Sequence, residues 1–124
     1  MAVKRIKVPG KIEGIIFDID GTLYDNVEYL AFQTTVLLRR LAEELSRPEP
    51  ELSQELEELR MRRAAERGGR RPSLGESFRD FYGISIERSV VWRRELMEPE
   101  SFLSPDRELR RRLDLLSRRF ALCA

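Results

Sequence analysis

Two aspartates separated by a single residue lie between an apolar segment and a glycine-threonine pair near the start of the chain, in the order Ile15-Ile16-Phe17-Asp18-Ile19-Asp20-Gly21-Thr22. In an extended strand, side chains two positions apart point to the same side. We therefore expect Asp18 and Asp20 to face one site just past the end of a strand, which is where open α/β sheets bind ligands. Closely spaced carboxylates suit Mg2+, and an aspartate carboxylate can attack phosphorus to form an aspartyl-phosphate.

An apolar strand followed by Asp-x-Asp-Gly-Thr resembles the first motif of the haloacid dehalogenase (HAD) superfamily of phosphohydrolases. An ordinary strand that ends in an Asp-rich turn would share part of this composition, because Asp and Gly are common turn residues. The apolar strand before the motif and the Thr22-Leu23 pair and Asp25 after it favour the HAD interpretation.

The resemblance implies a role for each residue of the motif. It makes Asp18 the nucleophile and a Mg2+ ligand, and it makes Asp20 the general acid/base, with its main-chain carbonyl also on the metal. Gly21 and Thr22 would shape the turn beside the phosphate. The implied substrate is a small phosphorylated metabolite, cleaved as a phosphomonoester.

Composition limits the other classes of function. The chain has 124 residues, of which 36% are charged and 41% hydrophobic, as in a globular protein with a polar surface. A net charge of +1 and the lack of a long apolar run argue against nucleic-acid and membrane partners. With no histidine, the chain cannot form a His-based catalytic triad or a His-ligated metal site. The single cysteine, Cys123, predicts a cytoplasmic protein and, given its apolar neighbours, a small core residue.

The pattern of apolar residues predicts a strand, four helices, a fifth helix and a second strand. The first strand is expected at residues 12–19, covered on both faces as in a parallel sheet. Helices follow at residues 27–45, 51–67 and 86–97, with a short one between them that begins with a capping box of Ser73 and Glu76 and ends near Tyr82. Ser104 is expected to cap the last helix, residues 105–118, before a strand at residues 120–124.

This order resembles HAD enzymes in which a helical cap follows the first motif. The predicted fold class is α/β, with the start of a Rossmann-like parallel sheet and an inserted helical cap. Residues 1–25 would form a basic leader, the first core strand and the catalytic loop, residues 26–98 the cap, and residues 99–124 a linker, a core helix and the start of a second core strand. Tyr24 and Asn26 lie where the core meets the cap and are candidates for substrate contact.

Four aromatic residues fall within the predicted cap. They are expected to pack its own core, and lining a substrate pocket is the alternative; they are Phe78, Phe81, Tyr82 and Trp92.

Other parts of the HAD apparatus are not found in this sequence. The second motif would be a Ser or Thr after the strand that begins near Phe120, the third a lysine, and the fourth an acidic pair, yet no lysine follows Lys11. Phosphoryl transfer depends on such charges. We therefore expect an N-terminal fragment of a larger protein that is inactive alone, with an incomplete core that favours self-association.

Two other functions are compatible with the sequence. A non-catalytic, truncated product could act as a helical interaction module that pairs with another chain through the uncovered core. An arginine-rich nucleic-acid binder is a third hypothesis, and the near-zero net charge argues against it.

Overall fold

The computed structural model describes residue 7 and residues 9–124, so most of the predicted leader lies outside the described residues. The described chain is mixed α/β and mostly helical, which agrees with the predicted class at that level. Its elements, in chain order, are β1 (Gly14–Ile16), α1 (Val27–Leu45), α2 (Glu49–Glu66), α3 (Leu74–Tyr82), α4 (Ile86–Leu96), a 3-10 helix (Pro99–Ser101), α5 (Arg107–Ser117) and β2 (Ala121–Cys123).

The two strands pair in parallel. Gly14 lies opposite Ala121, Ile16 lies opposite Cys123, and the Phe17 amide extends the pairing by donating to the Cys123 carbonyl at 2.8 Å. Parallel pairing requires a crossover connection, and here all the helices lie in that crossover. The carboxyl end of β1 therefore leads directly into Asp18.

The predicted first strand was wrong in length and in burial. Strand β1 has three residues, and the side chain of Ile16 is 84% exposed, whereas Ile15 and Phe17 are half-buried. In the described chain, the sheet has two strands, and α5 packs against β2. The face of the sheet that carries Ile16 is therefore open to solvent. Cys123 is exposed for the same reason, which corrects its prediction as a core residue.

Among the described residues, the hydrophobic core cluster lies within the four-helix segment. Its buried side chains come from α1 to α4 and the loop before α4: Leu37, Leu41, Ala42, Leu52, Leu56, Phe78, Ile84 and Trp92. Phe81 and Tyr82 pack against this cluster from half-buried positions, so the four aromatic residues do belong to a helical core. The helices can therefore hold a fixed shape independently of the small sheet.

The helix ends follow the local capping signals, with one correction. The Ser73–Glu76 capping box is present, and Gly83 ends α3 with a φ of 70°, a left-handed conformation that favours glycine. Helix α5 begins later than predicted, because Asp106 and not Ser104 is its N-cap and accepts from the Leu109 amide at 2.9 Å. Serine and aspartate are both good N-caps, so the sequence offered two starts for this helix.

Candidate active site

The loop between β1 and α1, residues 17–25, is here called the motif loop. Its tight turn forms when the amides of Thr22 and Leu23 both donate to the Ile19 carbonyl, at 3.1 and 3.0 Å. Gly21 occupies the turn with a φ of 73°, which a residue with a side chain adopts only with strain. The turn fixes the direction of the chain immediately after the two aspartates.

Asp18 lies one residue beyond the last strand hydrogen bond and is exposed. The Thr22 hydroxyl donates to Asp18 Oδ2 at 3.2 Å. Within the described residues, the other carboxylate oxygen, Oδ1, has no hydrogen-bond partner in the protein. Asp18 thus has one oxygen held by the turn and one open to a ligand.

Asp20 is held by a different pair of residues. The Tyr24 hydroxyl donates to Asp20 Oδ1, and the side-chain amide of Gln33, on α1, donates to the same hydroxyl at 2.8 Å. Burial, with a further contribution from the hydrogen bond to Asp20, raises the pKa of Tyr24 to about 12. Tyr24 is therefore protonated at neutral pH and acts as a donor, which orients the Asp20 carboxylate.

An aromatic cluster fixes the motif loop against the helices. The Tyr24 and Tyr29 ring centroids are 5.4 Å apart, Tyr29 and Phe102 are also 5.4 Å apart, and Phe32 lies 4.7 Å from Phe102. Tyr29 is 6% exposed. The cluster joins the start of α1 to the segment after the 3-10 helix, which is where the chain enters and leaves the helical region.

Asn26 has a structural position at this junction. Its Oδ1 accepts from the Tyr29 amide at 2.8 Å and caps α1, and its Nδ2 donates to the Phe102 carbonyl at 3.1 Å. Both polar ends of the side chain therefore have protein partners. Substrate contact by Asn26 stays a prediction, whereas Tyr24 contacts the candidate acid/base directly.

Mg2+ binding at Asp18 and Asp20 stays a prediction. The described part of the chain has no group of three or more His, Cys, Asp or Glu side chains placed to hold a metal. The motif loop does contain the two carboxylates of Asp18 and Asp20, and Oδ1 of Asp18 has no protein partner among the described residues. Mg2+ commonly binds one or two carboxylates and completes its shell with water and substrate phosphate, so these residues fit such an ion.

Two depressions border the motif loop. The larger, of about 880 Å³, runs from Thr22 and Tyr24 to α5 and includes Arg110. The smaller, of about 350 Å³, is here called the helix-side cavity, and its lining includes Asp20, Gln33, Thr34 and Arg93. The sequence did not predict that Gln33 or Arg93 would lie near the motif, since both are far from it along the chain.

The arginine-rich segments form ion pairs with nearby carboxylates. Arg111 and Arg112 both contact Glu108 at 2.8 Å, and Arg71 pairs with Glu57. This is the arrangement expected of solvated helix faces with interleaved glutamates. Among the described helices, none is both long enough and apolar enough to cross a membrane.

Comparisons of this chain with protein-family models, with characterised proteins and with solved structures found no match.

Proposed function

We propose that this chain carries the nucleophile and the general acid/base of a HAD-like, Mg2+-dependent hydrolase of small phosphomonoesters. The observation that carries the proposal is the position of Asp18. It follows the carboxyl end of a parallel strand, is exposed, and has one oxygen anchored by Thr22 and the other open. This combination suits a carboxylate nucleophile, which needs a fixed direction of attack.

In the first step, Asp18 Oδ1 attacks phosphorus, and a P–O bond forms as the bond between phosphorus and the leaving oxygen breaks. Asp20 gives its proton to that oxygen, so the alcohol leaves uncharged and an aspartyl-phosphate remains on Asp18. Tyr24 donates to one oxygen of Asp20, which leaves the other oxygen to carry the proton.

In the second step, Asp20 takes a proton from water as the water oxygen attacks phosphorus. The bond between phosphorus and Asp18 breaks, inorganic phosphate leaves, and both aspartates return to their starting states. Mg2+, when bound, supplies positive charge for the phosphoryl oxygens.

Among the described residues, no lysine or arginine forms a hydrogen bond or ion pair with Asp18. The lysine nearest the motif in sequence, Lys11, precedes β1 and pairs with Glu13 at 2.6 Å. Because the phosphoryl group carries charge through the transition state, we expect little or no turnover of ordinary phosphomonoesters by the 124-residue chain.

A half-reaction tests the nucleophile without full turnover. The chain is incubated with Mg2+ and acetyl phosphate, whose acetate leaves without needing a proton. Phosphorylated carboxylates are then trapped by borohydride reduction and located by peptide mass spectrometry. We expect one labelled residue, Asp18, and a requirement for Mg2+.

Asp25→Asn is the matched control, because Asp25 is an exposed carboxylate of the same loop and the proposal gives it no role. It should leave the labelling unchanged, whereas Asp18→Asn should abolish it. Equal labelling of several carboxylates, labelling that survives Asp18→Asn, or no labelling at any Mg2+ concentration would each refute the proposed nucleophile.

A non-catalytic helical interaction module is the second candidate. It is favoured by the open sheet face, where Ile16 is 84% exposed, and by Val27 at the start of α1, which is 74% exposed. Exposed apolar surface of this kind is typical of binding surfaces. If acetyl phosphate labels nothing while the chain forms a defined oligomer, this candidate becomes the better one.

A further inference from the structure

The helix-side cavity brings the candidate acid/base and an arginine of the helical region to one place. Asp20 lies on the motif loop, Gln33 and Thr34 lie on α1, and Arg93 lies on α4. The remaining lining is apolar and consists of Leu30, Leu37 and Leu74. Such a mixture, apolar walls with a few convergent polar groups, is typical of small-molecule sites.

Arg93 is the cationic residue in the lining of the helix-side cavity. It is half-buried, and within the described residues its guanidinium has no ion pair or hydrogen bond. Arg88, on the same helix, pairs with Glu44, and Arg47 pairs with Glu55 at 2.8 Å. A half-buried cation without a partner has lost part of its hydration, so an anion brought into the cavity would gain by binding it.

The wall beside Arg93 is formed by backbone without a side chain. At Gly75, on α3, a Cβ atom would lie 3.8 Å from Arg93 Nη1 and 3.6 Å from Ile86 Cδ1. The end of the Arg93 side chain therefore lies beside the first turn of α3. A guanidinium presents a planar fork of donors that matches the two oxygens of a carboxylate.

We propose that the helix-side cavity binds the leaving group of the substrate and that Arg93 binds a carboxylate on it. The substrate class is thus a phosphorylated short-chain hydroxy acid, with Gln33 and Thr34 available for its hydroxyl groups. This inference rests on the proposed function, because the acid that protonates the leaving oxygen, Asp20, lines the same cavity. A carboxylate fits better than a second phosphate, since its single charge matches the single guanidinium that lines the cavity.

The test compares two phosphomonoesters that differ at one end. 3-Phosphoglycerate and glycerol 3-phosphate both carry a phosphate on a primary carbon, but the first has a carboxylate where the second has a hydroxymethyl group. Binding of each to the full chain with Mg2+ is measured by calorimetry and amide chemical shifts. We expect 3-phosphoglycerate to bind about tenfold more tightly, with shifts at residues 33, 34 and 93.

Variants on α4 separate a specific contact from a general charge effect. Arg93→Gln should remove the preference and leave the affinity for glycerol 3-phosphate nearly unchanged, and Arg93→Lys should retain part of the preference. Arg94→Gln is the matched control, because it makes the same change of charge at an exposed neighbour. An amide spectrum of each variant verifies that it is folded.

The outcomes separate the two proposals. The carboxylate site is overturned if the two ligands bind equally, or if Arg94→Gln and Arg93→Gln lose the preference for 3-phosphoglycerate to the same extent. If Mg2+ still promotes binding of glycerol 3-phosphate in that case, the proposed function is not affected. If Mg2+ promotes binding of neither ligand, both the carboxylate site and the proposed function fail.

Discussion

Gln33 and Tyr24 are joined by a 2.8 Å hydrogen bond that connects helix α1 to the motif loop, and the same tyrosine hydroxyl donates to Asp20. The position of the Asp20 carboxylate therefore depends on the helical region as well as on the loop that contains it. Because α1 belongs to the four-helix core, a shift of that core would be transmitted to Asp20 through two side chains.

Removing the Tyr24 hydroxyl should loosen this connection. We expect Tyr24→Phe to lower the free energy of unfolding by about 1 kcal/mol, because one hydroxyl serves as both donor and acceptor. Urea unfolding measures the loss, and hydrogen exchange should become faster at residues 18–24. Tyr82→Phe is the control, since the Tyr82 hydroxyl bonds to Glu55 away from the loop and its loss should leave exchange in the loop unchanged.

Asp20→Asn should separate the two half-reactions. Acetate leaves acetyl phosphate without a proton, so this variant should still permit labelling of Asp18 while hydrolysis of the aspartyl-phosphate slows ~10²- to 10⁴-fold. The decay of the label after removal of acetyl phosphate measures this rate. A phosphoenzyme that decays equally fast in Asp20→Asn and wild type would exclude Asp20 as the general base.

The affinity for Mg2+ should be low. Asp18 and Asp20 provide few ligands, and the described residues contain no third acidic side chain beside them. We expect a millimolar dissociation constant, with amide shifts confined to the motif loop, and weaker binding in Asp18→Asn than in Asp25→Asn. Micromolar affinity, or no shift at high millimolar Mg2+, would contradict this description of the site.

Acid should destabilise the helical core through Glu55. Hydrogen bonds from Arg47, at 2.8 and 3.0 Å, and from Tyr82 lower the pKa of Glu55 to about 2. Because the folded pKa is below the unfolded one of 4.5, the contribution is complete above about pH 4.5 and is lost as pH falls toward 2. Thermal unfolding between pH 2 and 6 should show a smaller acid dependence in Glu55→Gln than in wild type.

The hydrogen bond between Tyr82 and Glu55 should also make stability depend on pH in the alkaline range. There, a rise in pH lowers the stability, whereas in the acid range a fall in pH lowers it. Burial, followed by the hydrogen bond to Glu55, raises the pKa of Tyr82 to about 12. Stability from the neutral hydroxyl is complete below pH 10 and is lost as pH rises from 10 toward 12. Phenolate absorbance in Tyr82→Phe, compared with wild type, should show that Tyr82 ionises late in the folded chain.

Local signals in the sequence predicted the helices well and the tertiary contacts poorly. Apolar residues at spacings of three and four form a stripe from Val27 to Leu45, and this stripe gave the bounds of α1. The Ser73–Glu76 pair gave the start of α3, and both patterns depend on neighbours within one or two turns. Val27 belongs to that stripe by spacing, yet it is 74% exposed because the first turn of α1 extends beyond the core.

In the candidate site, too, the residues that are close together in sequence could be predicted, and those brought together by tertiary packing could not. Asp18, Asp20 and the turn at Gly21 could be predicted from the motif, since all lie within a few residues of one another. Gln33 and Arg93 could not, because their positions depend on how α1 and α4 pack above the loop. The exposure of Cys123 was missed for a related reason: an apolar strand is buried only where another element covers it.

The chain should associate with itself through the open face of its sheet. Ile16, on that face, is 84% exposed, and Val27, at the start of α1, is 74% exposed. Exposed apolar surface favours association. Sedimentation should detect oligomers of wild type that weaken in Ile16→Thr, a change that retains β-propensity while adding a hydroxyl. Val90→Thr, at a 48% exposed site on α4, is the control and should leave association unchanged.

Hydrogen exchange should be slower for amides near Leu41 and Leu52, both 0% exposed, than for those of β1. A monodisperse monomer in which the amides of β1 are strongly protected would contradict the prediction of self-association.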